Sequence, residues 1–234
     1  MRRNFGQLRF SPRARDHKQI RRYSATGSFA YIDNGAGRLE TRDMDGELAI
    51  EFHNADRLFV GSSKTYEFLP QPFAIAPSIT LPVRGYDFAN VRAGFTLAPQ
   101  RLIAGMFSIE HGTFYSGHKT TFTWTRERVN LSPRFSLEPR ISLDSVDLEE
   151  GAFTSRLFGS RVTYTMTPLM FVSALVQYNS TSHALSANVR LRWEYQPGSE
   201  LFVVWNEQRD TLPSGFPELA NRALIVKINR LFRF

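Results

Sequence analysis

The feature that most constrains this chain is a two-residue alternation of apolar and polar side chains that recurs along most of its length. The clearest example, "ALSANVRLRWEYQ", continues for about a dozen residues. One face carries Leu185, Ala187, Val189, Leu191, Trp193 and Tyr195, and the other carries Ser186, Asn188, Arg190, Arg192 and Glu194. A period of two predicts β-strands, and this one is longer than the usual strand of roughly 5–6 residues.

Twelve strands are predicted in all, with no helix and no linker that would separate two domains. They cover residues 20–32, 38–52, 57–68, 85–97, 101–111, 118–130, 135–147, 153–166, 169–180, 184–196, 200–208 and 221–234. The sequence therefore predicts an all-β protein with antiparallel strands that follow one another up and down.

The connections between the strands divide by length. "HNAD", "TP" and "PGS" are short and follow even-numbered strands, whereas the long loops, "LPQPFAIAPSITLPVR" and "QRDTLPSGFPELAN", follow odd-numbered ones. An up-and-down order puts the two groups at opposite ends of the strands, and short turns opposite long loops are typical of outer-membrane barrels. We therefore predict a transmembrane β-barrel of about 12 strands, alone or as the C-terminal part of a larger barrel, with both chain ends in the periplasm of a Gram-negative bacterium.

The last residues continue the alternation to the very end of the chain, where a terminus is usually polar and frayed. Ile228, Phe232 and Phe234 share one face, and the chain closes on an aromatic ring. Such an ending is similar to the signal that the bacterial barrel-assembly machinery reads. The predicted partners are therefore that machinery and the lipid of the outer membrane.

The charge is unevenly distributed. The chain has 29 Lys and Arg against 22 Asp and Glu, and residues 1–19 form a basic segment ahead of the predicted barrel domain, 20–234. That segment has no nucleic-acid recognition motif, so no nucleic-acid partner is expected. The chain has no Cys, which excludes disulfides and thiolate sites. It also has no apolar window of about 18 residues, so no transmembrane helix is predicted.

Several stretches resemble the C-terminal barrel of the family known as domain of unknown function 5916. They are "ELAIEF", "YEFLPQPFAIAPSITLPVRGYDF", "GTFYSGHKT", "LMFVSALVQYNS", "SANVRLRWEYQPGSELFVVWNEQRD" and "NRALIVKINRLFRF". Members of that family usually carry a signal peptide and a domain similar to family-nine carbohydrate-binding modules ahead of the barrel, and neither is present in this sequence. The resemblance implies an outer-membrane barrel, as a pore or uptake component linked to carbohydrate through the missing domain.

Charged side chains on the predicted inward faces are the candidate functional residues. They are Glu138, Arg140, Arg190, Arg192, Glu194 and Arg233. In a barrel lumen such groups either pair across neighbouring strands and stabilise a narrow barrel, or line a path that attracts anions.

Two other classes of function stay open. Some outer-membrane barrels are hydrolases, and Ser116 with His111 and His118, or Ser182 with His183, could supply a nucleophile and a base near a rim. A soluble β-rich carbohydrate-binding module could instead use Trp124, Trp193 and Trp205 as stacking platforms. The His spacing matches no metal site, and no cofactor is expected.

Overall fold

The computed structural model describes residues 2–33, 39–76, 79–101, 104–126 and 128–232. Every regular element within these ranges is a β-strand. The strands are β1 (Arg2–Phe10), β2 (Ile20–Asp33), β3 (Leu39–Phe52), β4 (Arg57–Phe68), β5 (Phe73–Ala76), β6 (Ile79–Leu81), β7 (Gly85–Leu97), β8 (Gly105–Phe114), β9 (Gly117–Thr125), β10 (Val129–Asn130), β11 (Phe135–Leu148), β12 (Gly151–Thr167), β13 (Met170–Asn179), β14 (Ala184–Gln196), β15 (Ser199–Asp210) and β16 (Glu218–Asn229). Within the described ranges there is no helix of a length and hydropathy that would cross a membrane.

Fourteen of the strands form one antiparallel sheet. Its order is β1-β2-β3-β4-β7-β8-β9-β11-β12-β13-β14-β15-β16, with β10 paired to β11 beside this path, while β5 and β6 form a separate hairpin. Each of the twelve predicted strands overlaps one strand of the path, so the all-β, up-and-down prediction is confirmed. The chain divides into unit 1, residues 1–124 and 143–155, and unit 2, residues 125–142 and 156–234.

The basic segment contains a strand that the sequence analysis missed. β1 pairs with β2 along its whole length, from Arg2 opposite Asp33 to Phe10 opposite Ala25. Gln7, Leu8, Arg9 and Phe10 do alternate, but the high density of Arg around them hid the pattern. Among the described residues the path has thirteen strands with β1, and the sheet has fourteen with β10, so the predicted number of twelve was too low. The prediction that both chain ends lie on the same side rested on that number.

β1 and β16 stand at the two ends of the sheet order, and the pairings of the described residues include none between them. The pairings of the described residues therefore do not close the sheet into a barrel. All residues of β1, and all of β16 except Ala223, are exposed.

The last predicted strand, 221–234, is shorter at its C-terminal end than the alternation suggested. β16 ends at Asn229. The backbone N–H of Leu231 then donates to the Ser199 side-chain oxygen at 3.0 Å, which turns the chain away from ladder pairing with β15. Phe232 lies beyond the strand and Phe234 lies outside the described residues.

In unit 1 the register sorts side chains onto two chemically distinct faces. Directly opposed residues share a face, so the pairings from β2 to β8 can be followed row by row. One face carries the rows Tyr23–Ile50–Leu58–Phe95–Phe107, Ala25–Leu48–Val60–Ala93–Ile109 and Gly27–Gly46–Ser62–Val91–His111. We call it the apolar face of unit 1. Many of its large side chains are exposed; Leu48, for example, keeps 66% of its accessible surface, whereas Ile50, Phe95 and Phe107 are half-buried.

The opposite face, called the polar face of unit 1, carries rows of hydroxyl, amide and charged groups. Two of its rows are Thr26–Glu47–Gly61–Arg92–Glu110 and Ser28–Asp45–Ser63–Asn90–Gly112. The sheet of unit 1 therefore exposes an apolar surface on one side while it gathers its polar groups on the other. That is the reverse of a soluble sheet, in which the apolar side is the covered one.

Two connections of unit 1 are joined by a buried carboxylate. Asp56, between β3 and β4, accepts from the backbone N–H of Ala98 at 2.9 Å and from the Arg101 guanidinium at 3.1 and 2.6 Å. Asn54 donates to the same carboxylate at 2.9 Å. Burial raises the pKa of Asp56, but the hydrogen bonds from Ala98 and Arg101 outweigh it and hold the pKa below its usual value of 3.8.

We expect Asp56→Ala to lower the free energy of unfolding by about 2 kcal/mol at neutral pH, because the amide of the fully buried Ala98 loses its acceptor. A carboxyl whose folded pKa is lowered stabilises the protein above its unfolded pKa. That stabilisation is lost as the pH falls through the folded value. The difference between wild type and variant should therefore shrink below about pH 4. Urea unfolding at several pH values measures it.

The matched control is Asp16→Ala, which removes an exposed carboxylate from the β1–β2 connection and should change stability by less than about 0.5 kcal/mol. Equal effects of the two substitutions, or a difference between Asp56→Ala and wild type that grows at low pH, would contradict this role of Asp56.

Candidate functional site

The polar face of unit 1 is organised around Glu47 in the middle of β3. Glu47 is ion-paired with Arg57 and with Arg92, the latter at 3.4 Å. Both guanidinium groups also lie over the ring of Phe59, at 5.1 and 5.2 Å from its centroid. Phe59 is only 1% exposed. One aromatic ring on a polar face thus orients two cations that share one carboxylate.

A glycine makes room for this arrangement. Phe59 stands opposite Gly94 in the register, and its ring lies over the glycine backbone. A Cβ at position 94 would lie 2.4 Å from Cζ of Phe59 and 2.7 Å from the carbonyl oxygen of Phe107. Any side chain at this position would therefore displace the ring and, with it, the two arginines.

Beside the ion pairs, the polar face of unit 1 opens into a cavity of about 350 Å³. Its lining includes Ser28, Asp45, Ser63, Asn90 and Glu110. Hydroxyl, amide and carboxylate groups dominate it, and the described residues near it hold no cluster of metal-ligating side chains. The cavity therefore suits a polar, hydrogen-bonding solute better than an apolar one.

The long connection between β4 and β7 folds onto the polar face of unit 1. The sequence predicted it as a plain outer loop, but it forms the β5–β6 hairpin. Leu69, Ile79 and Leu81 of this connection are buried against Tyr86 and Phe88, two polar-face positions of β7, in one hydrophobic cluster. The Tyr86 hydroxyl donates to the carbonyl oxygen of Pro82 at 2.9 Å. The hairpin thus covers one end of the polar face.

The cluster beneath the hairpin continues into the β8–β9 turn. Tyr115 packs edge-on against Tyr86 and Phe88, with ring centroids 4.9 and 5.1 Å apart. Burial, together with the nearby Glu67 carboxylate and Tyr86, raises the pKa of the Tyr115 phenol, which stays neutral. These contacts anchor the hairpin by packing rather than by charge.

In unit 2 the predicted lumen residues lie mainly on one polar face. Arg190 and Arg192 are two residues apart on β14, opposite Ser173 and Phe171 of β13. Arg192 donates through Nε to Glu200 at 3.0 Å, whereas Glu194 accepts from the backbone N–H of Gly198 at 3.1 Å. The ion-pair partner of Arg192 is thus Glu200, on the next strand, and not its near neighbour in the sequence.

The other lumen candidates include both ion-paired and unpaired residues. Glu138 lies 3.7 Å from Arg161 in a loose ion pair. Within the described part of the chain, neither Arg140 nor Arg190 forms an ion pair. Arg233 lies outside the described residues. The structure therefore has both kinds of group that the sequence analysis considered, paired charges and unpaired ones.

A patch of amide side chains on the polar face of unit 2 was missed by the sequence analysis. Gln177, Ser186 and Gln208 stand in one row, and the side chains of Asn188 and Asn206 in the next row hydrogen-bond to each other. They line a cavity of about 170 Å³. The alternation in the sequence does place these residues on one face, because they occupy every second position of their strands. Only charged residues were predicted to line the lumen.

The residues of the hydrolase hypothesis do not form a nucleophile–base pair among the contacts described. The Ser116 hydroxyl donates to Glu150, while His111 contacts the Thr120 hydroxyl at 2.8 Å. The rings of His111 and His118 stack 5.9 Å apart. His183 sits in a turn, where its carbonyl oxygen accepts from Thr211 at 2.8 Å.

The three Trp residues belong to apolar surroundings and not to a polar binding platform. Trp193 stands opposite Met170 and Leu201 in the register, and Trp205 stands opposite Val189 and Leu224. Trp124 stacks on Phe107 with ring centroids 6.1 Å apart.

Two of the three residues of the predicted assembly signal, Ile228 and Phe232, lie within the described part of the chain. Ile228 is exposed and stands opposite Leu201 on the apolar side of unit 2. Phe232 is also exposed, with the Arg230 guanidinium 5.0 Å from its ring centroid.

No protein-family model, no curated protein and no solved structure matches this chain. The resemblance to the domain of unknown function family 5916 therefore stays a prediction.

We expect Gly94→Ala to lower the free energy of unfolding by about 1–3 kcal/mol, because the added methyl group overpacks Phe59. The control is Gly46→Ala, whose Cβ would meet nothing closer than the Ser62 hydroxyl at 3.9 Å. It should be neutral or slightly stabilising, since alanine restricts the unfolded chain. Urea unfolding of both variants tests this. Equal stability of the two would show that the ring does not depend on the glycine.

Proposed function

We propose that this chain is an outer-membrane β-barrel of a Gram-negative bacterium, with lipid against its apolar faces and water against its polar faces. The observation that carries the proposal is the exposed apolar face of unit 1, which lies back to back with a polar, ion-paired face. Water would make such a surface costly, at about 25 cal/mol for each Å² of apolar area, whereas lipid would cover it.

The dimensions support this proposal. A strand that crosses a membrane in a barrel needs about 9–11 residues. β2 and β3 each have 14 residues, and β14 has 13. The positions Tyr23 to Phe29 on the apolar face span about 20 Å at about 3.3 Å per residue, close to the band of about 25 Å in known barrels. The row of Phe29 at its far end also contains Lys64.

Aromatic rings supply a second line of support. Tyr23 and Phe95 stand in the row at one end of the apolar band of unit 1, and Tyr31 and Tyr66 stand near its other end, in a row with the Arg42–Asp87 ion pair. Rings at both borders are typical of the membrane–water interface. The barrel would close by pairing β1 with β16 or by pairing these edges with further strands, because lipid tolerates no open edge.

To test the membrane proposal, we would refold the full chain with and without phosphatidylcholine vesicles and run unheated and heated samples on detergent gels. We expect the chain to float with the vesicles, to resist protease and to migrate differently before and after heating. In bacterial cells it should fractionate with the outer membrane. A soluble monomer that ignores vesicles and shows no heat-dependent mobility would rule out the barrel.

Within this barrel we propose a path for small, neutral, polyhydroxylated solutes such as short saccharides. Gln177, Asn188, Asn206 and Gln208 offer amide donors and acceptors without net charge, and hydroxyl groups of sugars are suitable partners for them. The cavity beside Asp45 and Asn90 in unit 1 also offers hydroxyl and amide groups, together with charged ones.

We expect proteoliposomes of the wild type to swell in an iso-osmotic disaccharide solution. The double change Gln177→Leu plus Gln208→Leu should slow that swelling at least several-fold, because it removes two amides from one row. Arg190→Gln is the comparison: it should alter ion preference in planar bilayers and leave disaccharide entry unchanged. Vesicles that incorporate the protein yet never swell would reject the solute path while the barrel stands.

A further inference from the structure

An apolar groove runs along the apolar face of unit 1 where β1 ends and the chain enters the β1–β2 connection. Phe10 and Pro12 form one wall, Leu48 and Leu58 lie across from them, and Tyr23 and Ile50 stand in the row nearest the connection. Its volume is about 410 Å³. Ala25, a small residue between Phe10 and Leu48 in the register, forms part of its floor.

A basic loop begins where the groove ends. Pro12 belongs to both, and its carbonyl oxygen accepts from the backbone N–H of Tyr23 at 3.1 Å. The backbone N–H of Ala14 donates to the carbonyl oxygen of Arg21 at 3.2 Å, which holds the loop against the start of β2. The groove and the loop are therefore fixed side by side by backbone hydrogen bonds.

Three cations of this loop have no acidic partner within the described ranges. Arg13, Arg15 and Lys18 are exposed, and Asp16 is the only acidic residue between positions 11 and 19. By contrast, Arg21 and Arg22, at the start of β2, are both ion-paired with Glu51. The loop thus carries an excess of positive charge that the protein itself does not neutralise.

We propose that the groove and the basic loop bind one anionic glycerophospholipid, with an acyl chain along Phe10, Leu48 and Leu58 and the phosphate beside Arg13, Arg15 and Lys18. The site is apolar along its length and charged at one end only, which matches a molecule with a tail and an anionic head. Basic side chains beside a membrane surface attract the anionic headgroups of lipids. The inference rests on the proposed membrane location and adds a lipid specificity to it.

The test uses the full chain refolded in detergent micelles and titrated with phosphatidylglycerol or with phosphatidylcholine. Native mass spectrometry counts the lipid molecules retained by each chain. The wild type should retain one phosphatidylglycerol at lower lipid concentration than phosphatidylcholine. The triple change Arg13→Gln, Arg15→Gln and Lys18→Gln should weaken that binding at least about tenfold, which corresponds to about 1.4 kcal/mol. It should leave phosphatidylcholine binding unchanged.

Two controls separate charge and shape from general damage. Arg2→Gln, Arg3→Gln and Lys64→Gln remove the same charge from positions outside the loop and the groove, and phosphatidylglycerol binding should stay as in the wild type. Ala25→Trp keeps every cation but fills the groove, so it should abolish retention of the lipid. Ala93→Trp puts the same side chain in the same row outside the groove and should not affect retention.

The outcomes distinguish the two proposals. A chain that inserts into neither phosphatidylcholine nor phosphatidylglycerol bilayers would overturn both. A chain that inserts into both but retains the two lipids equally would overturn the lipid site alone. Stronger retention of lipid A than of phosphatidylglycerol, or loss of binding in the Arg2, Arg3 and Lys64 variant, would also overturn it.

Discussion

The register of the antiparallel strands is the constraint on which the rest of the structure depends. Because side chains alternate between the two faces, a slip of one residue would move every apolar side chain of a strand to the opposite side. In unit 1, Leu48 stands opposite Ala25 and Val60, while Glu47 stands opposite Thr26 and Gly61. A slip at β3 would bring Glu47 into the apolar row and would separate it from Arg57 and Arg92. The ion pairs and the apolar rows therefore select the same register.

A second constraint is that backbone hydrogen-bonding groups need partners, and the strands at the two ends of the sheet order do not meet it. β1 and β16 each pair on one side within the described residues, so each presents a row of unpaired backbone groups. Soluble proteins protect such edges with charge, bulges or short strands. β16 has 12 residues and exposes Leu224, Val226 and Ile228. A long, apolar edge with little protection is what a strand would have if its partner completes a barrel, and this connects the edges to the proposed membrane location.

Alternation let the sequence predict twelve of the thirteen path strands, because the pattern is local and each strand has two contrasting faces. It failed where the decisive contacts are not local. β5 and β6 have only four and three residues. They form a hairpin because Leu81 and Tyr86 are buried together in one hydrophobic cluster. The partner of Arg192 is on the following strand at Glu200, and nothing in the sequence selects it over Glu194. The candidate site could be predicted only in part, for the same reason. The spacing of residues within a strand shows which face is polar. The register between strands decides which polar groups come into contact, and the sequence does not give it.

A cluster of three charged groups interrupts the apolar side of unit 2 near the end of β15. Glu207 stands in a row with Val176 and Ala187, yet it is 91% buried and ion-paired with Arg209 and Arg222. Arg209 also donates to the carbonyl oxygen of Pro217 at 2.9 Å and lies 4.7 Å from the Phe216 ring centroid, in the β15–β16 connection. The cluster therefore lies next to a loop, at the end of the strands, where a barrel leaves the apolar layer. Charged groups are least costly there and most costly at the midplane. A carboxylate neutralised by two arginines at that border is consistent with lipid beside the rest of the face, whereas the same cluster half-way along β15 would argue against it.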